Sequence, residues 1–509
     1  VPQDAVLALL TTVVPGEVVY RVALVGVIFG AALGAGVLVA RAGPGAQAVA
    51  ATAYAWNAYV AERLVIGHWT VLIAYAVLPW LLRAGMAARR GESGALLSVL
   101  LLTALASVTP TGGLLATVVA VLMVAGRTRL VVLAGGVAVQ LPWLLPALLT
   151  PTPLVSDPAG VAAFSARADS PLGLLGSVLT LGGIWNADVV PESRALVAAM
   201  VLTVAWVSLA VVGAREVPAV LGPDTARVLA VLAVLGLSLA LAGTFGGALA
   251  WVVEQVPGAG LLRDGHRILA WYAIALAPAV GLGAKRLASW VGRVTGIPAA
   301  LALGVTALLP VLALPDLGWG VWGRVTPVEY PVSWTQVRDT LRASADPGAL
   351  VVLPYQPFRS FPWNDNRTVL DPLPRYAGVE TVVPDALTVG DQQLAGEDPR
   401  AAAVDRALEA EDPIDELLAA GVGWVAVQHE TPGVLPDRLL DGLEPVEQTG
   451  VLDLYRVPGD PVEWRQRPPA GPVIAVQLAV LTLVASLLAV RVVVWTGRIK
   501  GKPGTVAHS

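Results

Sequence analysis

Apolar runs that approach 20 residues recur along the chain, and this pattern constrains the fold more than any other feature of the sequence. A helix needs about 20 predominantly apolar residues to cross a hydrocarbon core about 30 Å thick. Of the 509 residues, 56% are hydrophobic and 14% are charged, whereas soluble domains carry about 25% charged residues. The sequence therefore predicts a polytopic α-helical membrane protein.

We predict about eleven spans, each bounded to within about four residues. They cover residues 18–40, 46–61, 69–86, 95–109, 112–125, 130–149, 195–214, 226–245, 268–284, 297–315 and 472–496. The segments 46–61 and 112–125 are short, so they fit a broken helix or a re-entrant pair as well as a span.

Acidic residues are concentrated in one block of the sequence. Between Asp316 and Ala470 the chain has 25 acidic and 12 basic residues, a net charge of −13, while the remainder has a net charge of +9. We therefore predict three parts: a multi-span domain over 1–315, an extracytoplasmic domain over 316–471, and a final transmembrane helix with a cytoplasmic tail over 472–509.

Helix and strand patterns alternate within the acidic block. Residues 349–354 and 424–427 have the composition of buried strands, and 452–457 alternate between apolar and polar residues as a third strand does. Apolar residues recur with helical spacing over 334–341, and 414–420 also has a helical pattern. The block is therefore predicted to form a small α/β domain.

The distribution of arginine and lysine predicts the orientation in the membrane. Bases such as Arg89, Arg127 and Arg215 fall on the same side as the basic C-terminal tail. We expect this side to be cytoplasmic, in a multi-pass protein of the cell membrane. Val1 would then be outside although the N-terminus does not have the order of a signal peptide, so we expect a further helix upstream.

Several kinds of site are excluded by residue usage. The chain has no cysteine, which excludes disulfides, thiolate zinc sites and cysteine nucleophiles. The four histidines are far apart in sequence, so we expect no histidine-built metal site. Neither a glycine-rich phosphate loop leading into a helix nor a basic stripe is present, so nucleic acid is not an expected partner.

Two polar clusters beside predicted spans are the main candidates for a functional site, because charged groups at membrane depth are costly and usually functional. The first consists of Glu62, Arg63 and His68, and the second of Arg263, Asp264, His266 and Arg267. Arginine side chains suit the binding of a phosphate. Because both clusters are predicted on the outer face, we expect one shared anionic ligand.

Each cluster also has a structural interpretation. In the first, Glu62 and Arg63 would be an interfacial pair, beside Trp69 in an aromatic belt. In the second, the charges would be those of an ordinary helix end, with a local pair between Asp264 and a neighbouring arginine.

Asp4 is a third candidate, because it precedes an apolar stretch that is too short to span a membrane. A carboxylate there can act as a general base toward a bound hydroxyl. The alternative is a helix N-cap or first-turn acid. Asp157, Asp169 and Asp188, in the long outer segment 150–194, are weaker candidates and are predicted to be turn residues or caps.

The chain resembles the integral-membrane glycosyltransferases of the GT-C fold, especially the actinobacterial proteins related to arabinofuranosyltransferases and to the YfhO-like group. The matching stretches are Trp56-Asn57 through His68-Trp69, Gly182 through Asn186, Pro257 through Arg267, and Leu353-Pro354-Tyr355 with Trp363-Asn364. In architecture the resemblance covers most of the chain.

The resemblance implies transfer of a sugar, arabinofuranosyl or mannosyl, from a polyprenyl-phosphate donor to a cell-envelope glycan or lipid outside the membrane. It implies that a carboxylate activates the acceptor, and this acid is either Asp4 or a residue upstream of Val1. The expected phosphate contacts are Arg63, His68, Arg263 and Arg267, with His266 in the same substrate site. Glu62 and Asp264 would orient these bases or bind a divalent cation.

Two other functions fit the same layout. One is a transporter or flippase for a lipid-linked glycan, which would need polar groups near the bilayer midplane. The other is a non-catalytic envelope assembly protein that uses its outer domain to bind a partner. Both interact with membrane lipids, as a glycosyltransferase does.

Overall fold

The computed structural model describes residues 2–150, 156–390, 392–464 and 469–500. Within these ranges the protein is mostly helical and its strands lie between residues 349 and 456. The helices are α1 (Pro2–Thr11), α2 (Gly16–Leu38), α3 (Pro44–Ala55), α4 (Ala58–Val65), α5 (Trp69–Arg89), α6 (Ala95–Ala106), α7 (Pro110–Met123), α8 (Thr128–Ala138), α9 (Leu141–Leu149), α10 (Ala159–Ala163), α11 (Gly173–Leu179), α12 (Val197–Gly213), α13 (Val217–Leu221), α14 (Pro223–Ala242), α15 (Gly247–Gln255), α16 (Ala270–Thr295), α17 (Ala299–Ala313), the left-handed turn α18 (Gly318–Gly323), α19 (Val332–Ala343), α20 (Leu373–Ala377), α21 (Pro399–Glu409), α22 (Pro413–Ala419), α23 (Asp437–Asp441) and α24 (Ala470–Lys500). The strands are β1 (Ala349–Leu353), β2 (Phe358–Arg359), β3 (Val369–Leu370), β4 (Thr381–Val382), β5 (Leu387–Val389), β6 (Gln392–Leu394), β7 (Val422–Gln428), β8 (Glu444–Glu447) and β9 (Leu452–Arg456).

The chain folds as two compact units. Among the described residues, the helical unit consists of those within Val1–Leu149, Phe164–Val325 and Pro469–Ser509. The α/β unit consists of the described residues within Thr150–Ala163 and Thr326–Pro468. Each unit has its own apolar core.

Six helical segments among the described residues are long and apolar enough to cross a membrane. They are Gly16–Leu38, Trp69–Arg89, Val197–Leu221, Pro223–Ala242, Gly265–Thr295 and Ala470–Val494. The number rises to eight if each of two bent pairs is one span; these are α8 with α9, bent by 62°, and α17 with Pro315–Gly323, bent by 77°. A multi-pass helical protein is therefore confirmed by length and composition, and the finer count of eleven spans stays a prediction.

Helices α12 and α16 touch through their backbones. A Cβ atom at Gly213 would lie 1.9 Å from the carbonyl oxygen of Ala279, and one at Gly283 would lie 1.9 Å from that of Leu209. Only glycine leaves room for this approach, and small residues at such contacts are typical of helices packed in membranes. The candidate span Gly265–Thr295, which contains α16, is the most enclosed of the six, with 83% of its most apolar stretch buried.

At one end of the helical unit, segments that connect helices and are distant in sequence lie side by side. We call this end the site end. The Trp56 indole N–H donates to the carbonyl of Leu314 at 2.8 Å, and the Tyr59 hydroxyl donates to the carbonyl of Arg267 at 2.8 Å. The opposite end, which we call the basic end, contains the last turn of α5. There Arg89 donates to the carbonyl of Met123 at 2.7 Å.

The α/β unit is built on a five-stranded sheet with the order β4-β1-β7-β9-β8. Strands β4, β1 and β7 are parallel, and β9 and β8 follow in antiparallel pairing. The predicted strands at 349–354, 424–427 and 452–457 correspond to β1, β7 and β9, and the predicted helices correspond to α19 and α22. The expectation of an α/β fold in this block is thus confirmed.

The two central strands are buried on both faces, because successive side chains point to opposite sides of a sheet. On one face, Val351 and Val425 pack with the apolar side of α21 and α22. On the other face, Leu350 and Trp424 pack with Trp334 of α19. This explains why β1 and β7 have continuous apolar sequences instead of an alternating pattern.

Candidate functional site

Helix α4 presents three functional side chains on one face. It begins after Asn57, whose side-chain carbonyl accepts a hydrogen bond from the N–H of Val60 at 3.1 Å. Residues three and four apart lie on the same side of a helix, so Tyr59, Glu62 and Arg63 point together into the protein. All three are buried.

Arg63 is the centre of a buried polar network. Its Nη1 donates to His68 Nδ1 at 2.8 Å and to Asp264 Oδ2 at 3.2 Å, and its Nη2 donates to His266 Nδ1 at 2.7 Å. The guanidinium carbon lies 5.6 Å from the centre of the Tyr59 ring. The structure therefore joins the two clusters predicted from sequence into one site.

These contacts assign the protonation of both imidazole rings. A guanidinium group only donates hydrogen bonds, so Nδ1 of His68 and Nδ1 of His266 each carry a lone pair, and Nε2 carries the proton. The Nε2 proton of His266 is directed to the carbonyl oxygen of Gly182 at 3.1 Å. Burial, followed by the charge of Arg63, holds the pKa of His68 well below its usual value.

Asp264 connects the buried arginine to a partly exposed one. Its Oδ2 accepts from Arg63 and from Nε of Arg267 at 2.8 Å. Burial alone would raise the pKa of Asp264, but Arg63 and then Arg267 outweigh it and hold the pKa below its usual range. The Arg267 side chain is 30% exposed and that of Arg63 is 0% exposed, so the positive charge that reaches the surface is that of Arg267.

Glu62 differs from the other acids of the site. Its side chain is fully buried, and neither carboxyl oxygen accepts a hydrogen bond from the described residues. Nε2 of the neutral His266 is 3.5 Å from Oε2. Burial, followed by the nearby Asp169 carboxylate, raises the pKa of Glu62 well above its usual value. This direction favours the protonated, uncharged form of Glu62.

Asp169 and Arg194 form a second buried ion pair beside Glu62. Arg194 Nη2 lies 2.6 Å from Asp169 Oδ1, and the N–H of Gly183 donates to Oδ2 at 2.7 Å. Gly182 permits this arrangement, because a Cβ atom there would lie 2.2 Å from Asp169 Oδ2. Burial alone would raise the pKa of Asp169, but Arg194 outweighs it and lowers that pKa.

The sequence analysis assigned Asp169 to turns or caps and did not pair it with Arg194. The two residues belong to the same outer segment but are 25 positions apart, so no short motif contains both. The sequence feature that could have indicated the pairing is Gly182-Gly183, which lies between Asp169 and Arg194 in sequence.

Six of the eight predicted site residues contribute to this network: Glu62, Arg63, His68, Asp264, His266 and Arg267. Arg263 instead places its guanidinium carbon 5.3 Å from the centre of the Phe164 ring. Asp4 lies half-buried in α1, where the neighbouring Gln3 N–H donates to the carbonyl of Val108 at 3.1 Å.

The described residues contain no group of three or more His, Cys, Asp or Glu side chains that could hold a metal ion. In the network, Asp264 already accepts from two arginines, and burial favours the uncharged form of Glu62. A divalent cation at these two acids therefore stays a prediction, without a preformed set of ligands in the described part of the chain.

The chemistry that this site offers is hydrogen-bond donation. Arg267 donates through Nε to Asp264, and its terminal nitrogens have no hydrogen-bond partner in the described part of the chain; His68 carries a proton on Nε2. An oxyanion such as a phosphate is the natural ligand of such donors. The buried remainder of the network holds the two side chains in position.

Comparison with solved structures identifies the fold. A single-particle cryo-EM structure of the arabinofuranosyltransferase AftD from Mycobacteria matches with a TM-score of 0.56 and 17% identity, over 88% of this chain and 34% of that chain. A mutant of the same enzyme matches with a TM-score of 0.55 and 16% identity, over 88% of this chain and 36% of that chain. This chain thus spans about a third of the AftD length. No protein-family model and no curated protein matches it.

Proposed function

We propose that this protein is a membrane glycosyltransferase that moves a sugar from a polyprenyl-phosphate donor to a cell-envelope glycan or lipid outside the membrane. The observation that carries the proposal is the likeness to the arabinofuranosyltransferase AftD over 88% of this chain. An arabinofuranosyl or a mannosyl donor fits the resemblance found in the sequence. The protein would lie in the cell membrane as a multi-pass protein, with the site end outside and the basic end cytoplasmic.

Arg267 and His68 are the proposed phosphate contacts. When the bond between the sugar and the phosphate oxygen breaks, negative charge develops on the leaving phosphate, and fixed donors stabilise this charge. Arg267 has the exposure needed for this role. Arg63, Asp264 and His266 are proposed as positioning residues, because their contacts are with one another and with buried neighbours.

The base that activates the acceptor hydroxyl is proposed to be a carboxylate outside the buried network. The imidazole lone pairs of His68 and His266 point to Arg63, so neither ring can accept a proton from the acceptor. Asp4 is the remaining acid of the predicted set. It would take the hydroxyl proton while the acceptor oxygen bonds to the anomeric carbon and the polyprenyl phosphate leaves.

The test is sugar transfer by the purified protein in lipid nanodiscs. Radiolabelled polyprenyl-phosphate arabinose and polyprenyl-phosphate mannose would each be offered with a cell-envelope glycan acceptor. Label in the glycan from either donor would support the proposal, and repeating the assay with EDTA would decide the role of a divalent cation. Movement of a lipid-linked glycan across proteoliposomes without transfer would favour a transporter. Absence of transfer from both donors by folded protein would favour an envelope assembly protein.

A further inference from the structure

A cavity of about 430 Å³ lies at the basic end of the helical unit, away from the proposed transfer site. It is bounded by the last turns of α5, the turn that follows, the start of α6, and α24. Its lining includes Trp80, Arg83, Glu92, Ser98, Leu101 and Arg491. This volume is within the range of about 300–1,000 Å³ that is usual for small-molecule sites.

Two arginines line this cavity. Arg491 belongs to the apolar segment Ala470–Val494, which is long enough to cross a membrane. Its Nη1 is buried and has no hydrogen-bond partner among the described residues. Arg83 is exposed on α5, six residues before the last residue of that helix, Arg89. Charged groups within apolar helices are costly, and they usually mark a binding site.

The acidic residue in the lining does not neutralise these arginines. Glu92 Oε1 accepts a hydrogen bond from Nε of Arg90 at 2.7 Å. Because Glu92 pairs with Arg90, it does not balance the positive charges of Arg83 and Arg491. The cavity is therefore suited to an anion.

The rest of the lining is apolar. The indole N–H of Trp80 donates to the carbonyl of Gly30 at 2.9 Å, so the ring offers the cavity its hydrocarbon surface. Ala84, Leu101 and Leu102 add further apolar surface. A ligand that fills this cavity thus needs an anionic group and a hydrocarbon portion in one molecule.

We propose that the cavity binds an anionic phospholipid, with the headgroup phosphate held by Arg83 and Arg491 and an acyl chain packed on Trp80 and Leu101. Basic pockets between transmembrane helices bind lipid headgroups in this way. The lipid would come from the leaflet at the basic end. Its binding does not involve the proposed transfer-site residues, which lie at the other end of the helices.

The test is lipid retention measured by native mass spectrometry. The full chain would be reconstituted with equal amounts of phosphatidylglycerol and phosphatidylcholine and then released into detergent. We expect the wild-type protein to retain phosphatidylglycerol selectively. Arg83→Gln and Arg491→Gln should each weaken this retention on the order of tenfold, the scale of one charge-assisted hydrogen bond. The double variant should retain the two lipids equally.

Arg293→Gln is the matched control, because Arg293 is an exposed arginine in the last turn of α16 and does not line the cavity. It should retain phosphatidylglycerol as the wild type does. Equal retention of both lipids by the wild type, or an equal loss in Arg293→Gln, would overturn the proposal. Displacement of the lipid by excess inorganic phosphate would show a site for phosphate alone and would also overturn it. If the double variant fails to fold, the two single variants decide.

Discussion

The guanidinium of Arg63 and the carboxylate of Asp264, 201 residues apart in sequence, form a buried ion pair with an Nη1–Oδ2 distance of 3.2 Å. The two side chains are 0% and 5% exposed. The pair fixes the segment before α16 to helix α4, and it thereby sets the position of Arg267, which shares the same carboxylate. The position of the partly exposed Arg267 therefore depends on the buried pair of Arg63 and Asp264.

Removal of Arg63 is expected to destabilise the protein. Breaking a buried ion pair from one side leaves an uncompensated charge and costs about 3–5 kcal/mol. Arg63→Met should therefore lower the thermal unfolding temperature in detergent, and Arg63→Met combined with Asp264→Leu should recover part of the loss. An unfolding temperature of Arg63→Met equal to that of the wild type would contradict this assignment.

Arg267 is expected to affect catalysis more than stability. Loss of one charge-assisted hydrogen bond to the donor phosphate should lower kcat/KM by roughly 10- to 100-fold in Arg267→Gln. Arg263→Gln is the matched comparison, because that guanidinium lies over Phe164, and it should lower kcat/KM by less than about threefold. Equal effects of the two substitutions would show that exposure of Arg267 does not determine phosphate binding.

Glu62 is expected to make stability fall as pH rises. Burial and then Asp169 raise the pKa of Glu62 in the folded protein above the unfolded value of about 4.3. Between these two values the unfolded chain loses the proton and the folded chain keeps it, so unfolding is favoured as pH increases. Glu62→Gln is uncharged at every pH, so its unfolding temperature should decline less steeply above about pH 5.

Infrared difference spectra test the same assignment independently. The wild type should show the carbonyl stretch of a protonated carboxyl group at neutral pH, and Glu62→Gln should lack it. Parallel unfolding profiles in the two proteins, together with an unchanged carboxyl band, would rule out a protonated Glu62.

The contact between α12 and α16 is expected to tolerate no side chain. Gly213→Ala would place a methyl group 1.9 Å from a backbone oxygen, and overpacking of this kind costs about 1–3 kcal/mol. Gly26→Ala in α2 is the control, because a Cβ atom there meets no atom within 4 Å. Gly213→Ala should lower the unfolding temperature in detergent, and Gly26→Ala should leave it unchanged or raise it.

The sequence predicted those parts of the fold that depend on local patterns. The apolar runs identified the helical unit, and the strands at 349–354 and 424–427 were recognised because they are buried on both faces and therefore continuously apolar. Helix lengths were less predictable. Proline and glycine break or bend helices within apolar stretches, which is why the predicted span 130–149 is divided into α8 and α9.

The sequence predicted which residues form the site better than it predicted how these residues are arranged. Two basic clusters predicted at the same membrane face were expected to share one ligand, but periodicity does not show which member is enclosed. Arg63 and Arg267 looked equivalent in sequence, and their exposures of 0% and 30% arise from tertiary packing. The pairing of Asp169 with Arg194 depends on a loop that folds back on itself, which a linear pattern does not encode.

The contact of Gly213 with α16 has a geometric consequence for the site. Arg194 lies three residues before α12 and Arg267 lies three residues before α16. From the first residues of these helices to the glycine contact is about 20 Å at 1.5 Å per residue. Over that length, a change of about 5° in the angle between the helices would displace their far ends by about 2 Å, and a displacement of 1 Å can already slow catalysis about a hundredfold. Two glycines at the basic end therefore set the alignment of charged groups at the opposite membrane surface.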